Sequence, residues 1–285
     1  MQQPGQMQQP GEAVAPRLWV FSGTGDGPPL ARHLLERGWQ LRLSVVSAAA
    51  GRAYPSDPRL ELQQGRLGGA AALAQQLQQA AQAQVPFRLV VDATHPFATQ
   101  VQRELADGCR QAGVPLLRLQ RPRLRGPEGL RLQWLQSLDD LQGVGLGSGE
   151  RLLLAIGARH LRQALAVCPQ ALHHARLLPN PLALQQALAA GLAPARLACL
   201  QPGSAGGVLE AALLELWGIE TVLARESGPP TEALWRRLAA RRGCRLLLLR
   251  RPPVAAGVVA LEPEALRQAL ERCRRGEPME AIAPG

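Results

Sequence analysis

Short apolar runs alternate with longer amphipathic ones along most of this chain. "RLWVFS" has the continuous apolar character of a strand, and "PPLARHLLERG" spaces its leucines as a helix that stops at Gly38. "QLRLSVV" reads as a second strand, "LELQQG" as a short third and "AAALAQQLQQAAQAQ" as a helix. "FRLVVDAT" reads as a strand, "ATQVQRELADGCRQAG" as a helix and "PLLRLQ" as a strand. Strand and helix in turn, with short connections, predict a parallel sheet covered on both faces. Runs such as "RLVV" suit that double burial better than the one-sided alternation of an antiparallel sheet.

The rhythm breaks at residues 120–130, "QRPRLRGPEGL", where proline, glycine and charge predict a domain boundary. It then resumes. "RLLLAIG", "HHARLLP", "ARLACLQ" and "ETVLARESG" each lead into a helix, "RLLLLRRPP" is a last strand, and a helix over about residues 262–274 closes the pattern. The expectation is an α/β protein with an N-terminal domain at 16–125 and a C-terminal one at 126–275. Residues 1–15 and 276–285 read as tails. The opening "MQQPGQMQQPGEAVAP" lacks the charged start and apolar centre of a signal peptide, and no apolar run is long enough to cross a bilayer. A cytoplasmic protein without a membrane partner is expected.

Composition narrows the partners. The 285 residues suit two domains, and 46% apolar with 3% aromatic content means a core of Leu, Val and Ala. The formal charge is +10, and every basic residue is arginine. Such a surface favours acidic ligands, and arginine pairs carboxylates and phosphates bidentately. One Tyr and three Phe supply few platforms for stacking bases, so a nucleic-acid partner is not expected. Five cysteines, an odd number without a C-x-x-C pair, argue against a disulfide framework or a zinc site. No H-E-x-x-H, G-x-S-x-G or Walker A motif occurs.

Candidate chemistry sits where strands hand over to helices. "SGTGDG", Ser22 to Gly27, follows the first strand, at the carboxyl edge of a parallel sheet, where ligands bind. Bare glycine backbone lets a phosphate approach, and a helix amino terminus offers N–H groups. The spacing is not G-x-G-x-x-G, so a tight structural turn stays open as the other reading. The second strand ends without an acid but with Ser47 and Arg52, which tilts a dinucleotide site toward the extra phosphate of NADP. "VDATHPFA", Val91 to Ala98, ends another strand in polar groups. Thr94 could simply cap the next helix and His95 could be a half-buried structural histidine, but both should lie beside the glycine loop. In the second half Arg225 and Ser227 end a strand in "LARESG". Arg176 follows His173 and His174, which as strand neighbours face opposite ways and make poor joint metal ligands. No metal site is expected.

These stretches together resemble the precorrin-6A reductase family of cobalamin biosynthesis. "SGTGDG", "VDATHPFA", "GVPLLRLQRP" at 113–122, "GRL" at 65–67 and the "SG" of Ser227–Gly228 carry the resemblance over about residues 17–252. It implies two Rossmann-like parallel-sheet domains with an interdomain cleft, and NADPH-dependent reduction of the C18–C19 double bond of precorrin-6A or its cobalt form. The substrate is a polycarboxylate tetrapyrrole, and neighbouring corrin-pathway enzymes are implied partners. Carried over, Gly23, Thr24, Asp26 and Gly27 contact the cofactor. Thr94, His95, Pro96 and Phe97 form the wall where nicotinamide meets macrocycle, with Thr94 and His95 catalytic. Ser227 and Gly228 close the cleft from the other domain, and Arg176 and Arg225, read from their place at strand ends, are the expected substrate contacts beside them. The chain departs from the family at Pro229, Pro230 and Trp235, the last standing about where a lysine is usual. Another nucleotide-dependent oxidoreductase on the same scaffold, and a basic polyanion-binding module, are the alternative readings.

Overall fold

The computed structural model describes residues 15–23, 25–201 and 204–277. They form two compact units, one running to Gln120 and taking up again at Val254, the other spanning Arg121–Pro253. Each is built on a six-stranded sheet in which every pairing is parallel.

The first unit begins with β1 (Arg17–Ser22), α1 (Gly27–Glu36), β2 (Gln40–Val45), α2 (Ala48–Gly51) and β3 (Leu60–Gln64). It continues through α3 (Ala70–Gln82), β4 (Phe87–Ala93), α4 (Thr99–Ala112) and β5 (Leu116–Leu119). The strand that completes its sheet is β12 (Val259–Leu261), followed by α9 (Pro263–Arg274). The order is β3-β2-β1-β4-β5-β12, the doubly wound pattern that reverses between β1 and β4. Leu18, Val20, Leu89 and Val91 bury one face under α1 and α9. Trp19, Phe21 and Val90 bury the other with Leu73, Leu77 and Leu105 of α3 and α4. Fully buried strand residues on both faces match the unbroken apolar runs of the sequence.

The second unit contains β6 (Leu132–Leu135), β7 (Arg151–Leu154), α5 (Leu161–Val167), β8 (Leu172–Leu177) and α6 (Pro181–Ala189). There follow β9 (Leu197–Cys199), α7 (Val208–Leu216), β10 (Thr221–Arg225), α8 (Thr231–Arg242) and β11 (Arg245–Leu249). The order β9-β8-β7-β10-β11-β6 repeats the first pattern, with its reversal between β7 and β10. Leu153, Val222, Leu246 and Leu248 pack under Leu214, Leu234, Trp235 and Leu238.

Two differences from expectation stand out. The boundary near residue 125 falls at Gln120/Arg121, but the segment from Val254, expected with the second domain, returns to the first sheet, where Val259 pairs with Leu117 and Leu261 with Leu119. Neither β6 nor β12 is foreseen by the strand pattern. Each is three or four residues long, and each owes its place to a neighbour distant in sequence: β6 to β11, β12 to β5. The expected tails lie mostly outside the described residues.

Candidate active site

The first switch point brings two loops together. Ser22 ends β1 directly beside Ala93 at the end of β4, and its hydroxyl donates to the Ala93 carbonyl at 3.4 Å. Gly23 and Thr94 therefore start adjacent loops, as the sequence requires of them. Gly23 looks into open space: a Cβ there would meet nothing within 4 Å. Gly27 is the opposite case, since a Cβ would fall 1.9 Å from the Tyr54 hydroxyl and 2.3 Å from Ser22 Oγ. Tyr54 closes the underside of this loop by donating its phenol to the Gly23 carbonyl. Burial, with the Asp26 carboxylate adding to it against a Ser22 hydrogen bond, raises the phenol above its ordinary value of 10 and keeps it a donor. Thr24 lies outside the described residues.

Asp26 is the N-cap of α1 and makes no side-chain cap there. Pro28 and Pro29 follow Gly27 in the first turn, and proline has no N–H. Leu30 N–H is already bonded to the Asp26 carbonyl at 3.2 Å. The amino end of α1 therefore offers an anion only the Gly27 N–H, not the full crown expected, and the loop backbone ahead of it must do the rest. Across the switch point α4 keeps its donors: Ala98 caps it without a side chain, and the first-turn N–H groups of Thr99, Gln100 and Val101 have no intrahelical acceptor.

Thr94 does not cap α4. Its N–H and its hydroxyl both donate to Asp92 Oδ1, at 2.9 and 2.6 Å, while Asp92 Oδ2 is paired with the Arg118 guanidinium of β5. Asp92 and Arg118 are both buried. A buried carboxylate thus fixes Thr94 at the sheet edge, and a buried arginine from the neighbouring strand neutralises it. His95 Nδ1 accepts the Phe97 N–H at 3.1 Å, so the neutral ring carries its proton on Nε2. The rings of His95 and Phe97 lie 5.9 Å apart, and Gln102 of α4 donates to the carbonyls of His95 and Pro96, both at 3.1 Å. Asp92, Thr94 and the His95 ring are thereby held in one shape.

At the end of β2, Ser47 is engaged locally: its hydroxyl accepts the Ala50 N–H at 3.2 Å and caps the four-residue α2. Arg52 ends that helix, exposed.

The second switch point carries a cation where the first carries open backbone. Arg225 ends β10 with its guanidinium against Gly157 in the loop after β7; a Cβ on that glycine would lie 3.7 Å from Arg225 Nη2. Burial first, then the charge of Arg121, brings Arg225 down to about 10. Arg121 Nη1 donates to the Ser227 carbonyl at 2.9 Å, and its side chain covers Gly228, where a Cβ would fall 2.7 Å from Arg121 Cβ. Gly228 also needs its φ of +73°, which glycine alone adopts without strain. Its N–H donates to buried Glu232, which in turn accepts from Arg236 at 2.8 Å. Ser227 is buried, with its hydroxyl 3.5 Å from the Gly228 carbonyl.

Arg176 is turned away from this group. It is buried on β8 and paired at 3.3 Å with fully buried Glu210 of α7, an internal ion pair rather than a ligand contact. Trp235 is core. His173 and His174 face opposite ways as expected, one 3.3 Å from the Cys168 sulfur, the other with its ring 4.9 Å from that of Trp217 and tilted against it. No cluster of three metal-ligating side chains and no helix long and apolar enough to cross a membrane occurs among the described residues. A cavity of about 410 Å³ at the amino end of β8, lined by Gln170, His173, Gly191 and Arg196, includes none of the residues above.

The family model described as "Precorrin-6x reductase CbiJ/CobK" matches residues 17–274, the whole of both sheets. The chain belongs to this family. It is 30% identical to a cobalt-precorrin-6A reductase of Synechocystis sp., over 90% of this chain and 96% of that protein. It is likewise 30% identical to a precorrin-6A reductase of Sinorhizobium sp., over 89% and 92%. A solved structure titled "CobK precorrin-6A reductase" superposes with a TM-score of 0.71 at 26% identity, covering 90% of this chain and 97% of that one. As a precorrin-6x reductase the chain is an oxidoreductase of cobalamin biosynthesis that acts on a precorrin tetrapyrrole and needs a nicotinamide cofactor. The residues that sequence reasoning passed over are Tyr54 and Arg118 at the first switch point and Arg121, Gly157 and Glu232 at the second. Only the single tyrosine in the whole chain offered any sequence signal, its rarity.

Proposed function

We propose that the chain reduces the C18–C19 double bond of precorrin-6A, or of its cobalt complex, with NADPH as the hydride donor. The observation that carries this reading is the pairing of Ser22 with Ala93, which sets the open glycine loop and the "DATHPF" loop side by side at the reversal of a doubly wound sheet. The fit to a dinucleotide rests on the uncovered Gly23 backbone, the uncapped amino end of α4 and the absence of an acid at the end of β2. Gly23, Thr24, Asp26, Gly27, Ser47, Arg52, Pro96 and Phe97 are the proposed cofactor contacts, with Arg52 within the loop that would meet a 2′-phosphate.

The bound nicotinamide supplies the hydride; the chain supplies position and hydrogen-bond donors. Asp92, held by Arg118, keeps Thr94 in place at the sheet edge. Reduction of a carbon–carbon double bond requires a proton at the carbon that does not receive hydride. His95, with Nδ1 occupied by the Phe97 amide, presents Nε2–H as a hydrogen-bond donor and is proposed to orient the reacting group while solvent delivers that proton. In the second unit, Arg225, Ser227 and Gly228 are proposed to receive the substrate, Arg225 as the cation for one of its carboxylates.

Incubating purified protein with precorrin-6A and NADPH, in parallel with cobalt-precorrin-6A, and following the absorbance of both reactants tests the reading. Loss of NADPH in step with conversion of one of the two substrates is expected. Turnover with NADH at an equal rate would remove the assignment of Arg52, and no oxidation of either cofactor would remove the reaction. His95→Ala and Thr94→Ala are each expected to lower turnover at least tenfold, about 1.4 kcal/mol, with a far smaller change in melting temperature.

A further inference from the structure

The stretch "LARESG" holds a residue that the proposed reaction leaves unused. Glu226 stands between Arg225 and Ser227, and it is buried. Its N–H donates to the Leu249 carbonyl at 2.8 Å, one step past the last regular pairing of β10 with β11, Arg225 with Leu249. There the ladder stops and the side chain takes over: Glu226 Oε2 accepts the Arg251 N–H at 3.0 Å. Its other carboxylate oxygen lies 3.7 Å from Arg251 Nε and 3.6 Å from Arg123 Nε.

Arg251 carries the contact onward. Its guanidinium donates to the Arg121 carbonyl at 2.7 Å and to the Pro122 carbonyl at 3.5 Å. Arg121 in turn donates to the Ser227 carbonyl at 2.9 Å and lies over Gly228. The path leaves the chain at Glu226 and returns to it one residue later, all within the second unit. Stability alone does not explain the pair at its start. A strong ion pair is hydrogen-bonded at about 2.7–2.9 Å. The side chains of Glu226 and Arg251 stay 3.7 Å apart, and Arg251 Nε is buried without a hydrogen-bond partner. The fork of the guanidinium goes to two backbone carbonyls instead. Burial lowers Arg251 from its ordinary value, and the charges of Glu226 and Glu232 oppose that shift. The acid thus offsets the cost of burying the cation, and the cation fixes residues 121–122, from which Arg121 reaches the turn.

We infer, on the reading that Arg225 and the Ser227–Gly228 turn receive the substrate, that Glu226 is a positioning residue for substrate binding. It sets the shape of that turn through Arg251 and Arg121. Titrating the purified full chain with precorrin-6A and, in parallel, with its cobalt complex, in the absence of cofactor, reads substrate affinity from tetrapyrrole absorbance. NADPH affinity is read from its fluorescence. Glu226→Gln keeps an oxygen for the Arg251 N–H and removes the charge. It should weaken substrate binding about tenfold and leave NADPH binding unchanged. Arg121→Gln should do the same, and the double variant should lose about as much as the worse single one, because both residues act along one path. Glu210→Gln, which disturbs a buried pair elsewhere in the unit, should lower the melting temperature and spare both affinities. Wild-type substrate affinity in Glu226→Gln, with affinity weakened in Arg225→Ala, would overturn the inference alone. Equal losses of substrate and NADPH affinity in Glu226→Gln would also overturn it, by making the role structural. A wild-type chain that binds neither tetrapyrrole, or an Arg225→Ala variant that binds as the wild type does, would remove the turn as a substrate contact and the underlying reading with it. Should Glu226→Gln fail to fold, Arg121→Gln decides, and wild-type substrate affinity there would overturn the inference.

Discussion

At their switch points the two units share one strand order and differ in what fills it. In the first, the loop after β1 exposes bare backbone at Gly23, and the loop after β4 is a braced set of polar groups resting on Asp92. In the second, the guanidinium of Arg225 lies against Gly157, and the turn at Gly228 is closed over by Arg121 and tied to Glu232. Backbone N–H groups suit phosphate oxygens; a half-desolvated cation suits a carboxylate. One scaffold thereby carries two different surfaces, and the difference lies in a few side chains at the ends of equivalent strands.

The largest effect expected from perturbing this contrast comes from its buried ion pairs. Asp92→Ala and Glu210→Ala each leave a buried arginine without its partner and should each cost about 3–5 kcal/mol in urea denaturation. Only Asp92→Ala should also lower turnover per folded molecule, because only Asp92 holds a site residue. Equal losses per folded molecule would show that the two pairs play the same part.

Next come the two glycines of the first loop. Gly27→Ala should cost about 1–3 kcal/mol, since Tyr54 and Ser22 must give way. Gly23→Ala should leave the melting temperature where it is and raise the KM for NADPH about tenfold. A Gly23 variant with wild-type KM would make this loop a plain turn.

Acid should separate the units more gently. Burial is the main cause that lowers His160, His173 and His174 from 6.5, and all three are in the second unit. Below about pH 6.5 the unfolded chain binds more protons than the folded one, so stability rises with pH and falls as acid passes through that value. Melting curves between about pH 7.5 and 5.5 should show this decline, and His173→Gln should flatten it. The smallest effect belongs to Arg52→Ala, which should narrow the preference for NADPH over NADH by up to about tenfold without moving the melting temperature, as befits an exposed cation.

Much of this was legible in the sequence. Unbroken apolar runs marked β1, β4, β7, β10 and β11, and the polar residues at their ends marked both switch points, because side chains that serve no core need another reason to sit there. The braces were not legible. Arg118 lies 26 residues from Asp92, Tyr54 lies 31 from Gly23 and Arg121 lies 106 from Ser227, and no local pattern announces such partners. Arg176 looked like Arg225 in the sequence, an arginine late in a strand; burial against Glu210 tells them apart only in three dimensions. Thr94 looked like a helix cap, and the carboxylate two residues before it takes its hydroxyl first.

The return of β12 and α9 to the first sheet bears on how the polypeptide matures during translation. Residues 121–253 form one uninterrupted stretch and can close as soon as they emerge from the ribosome. The amino-terminal sheet is made earlier yet must wait longer, because Leu261, Leu266, Ala269, Leu270 and Cys273 complete the layer over Leu18 and Val20. A chain cut short before Val254 would carry a complete later unit and an unsealed earlier one, with an apolar flank open to chaperones.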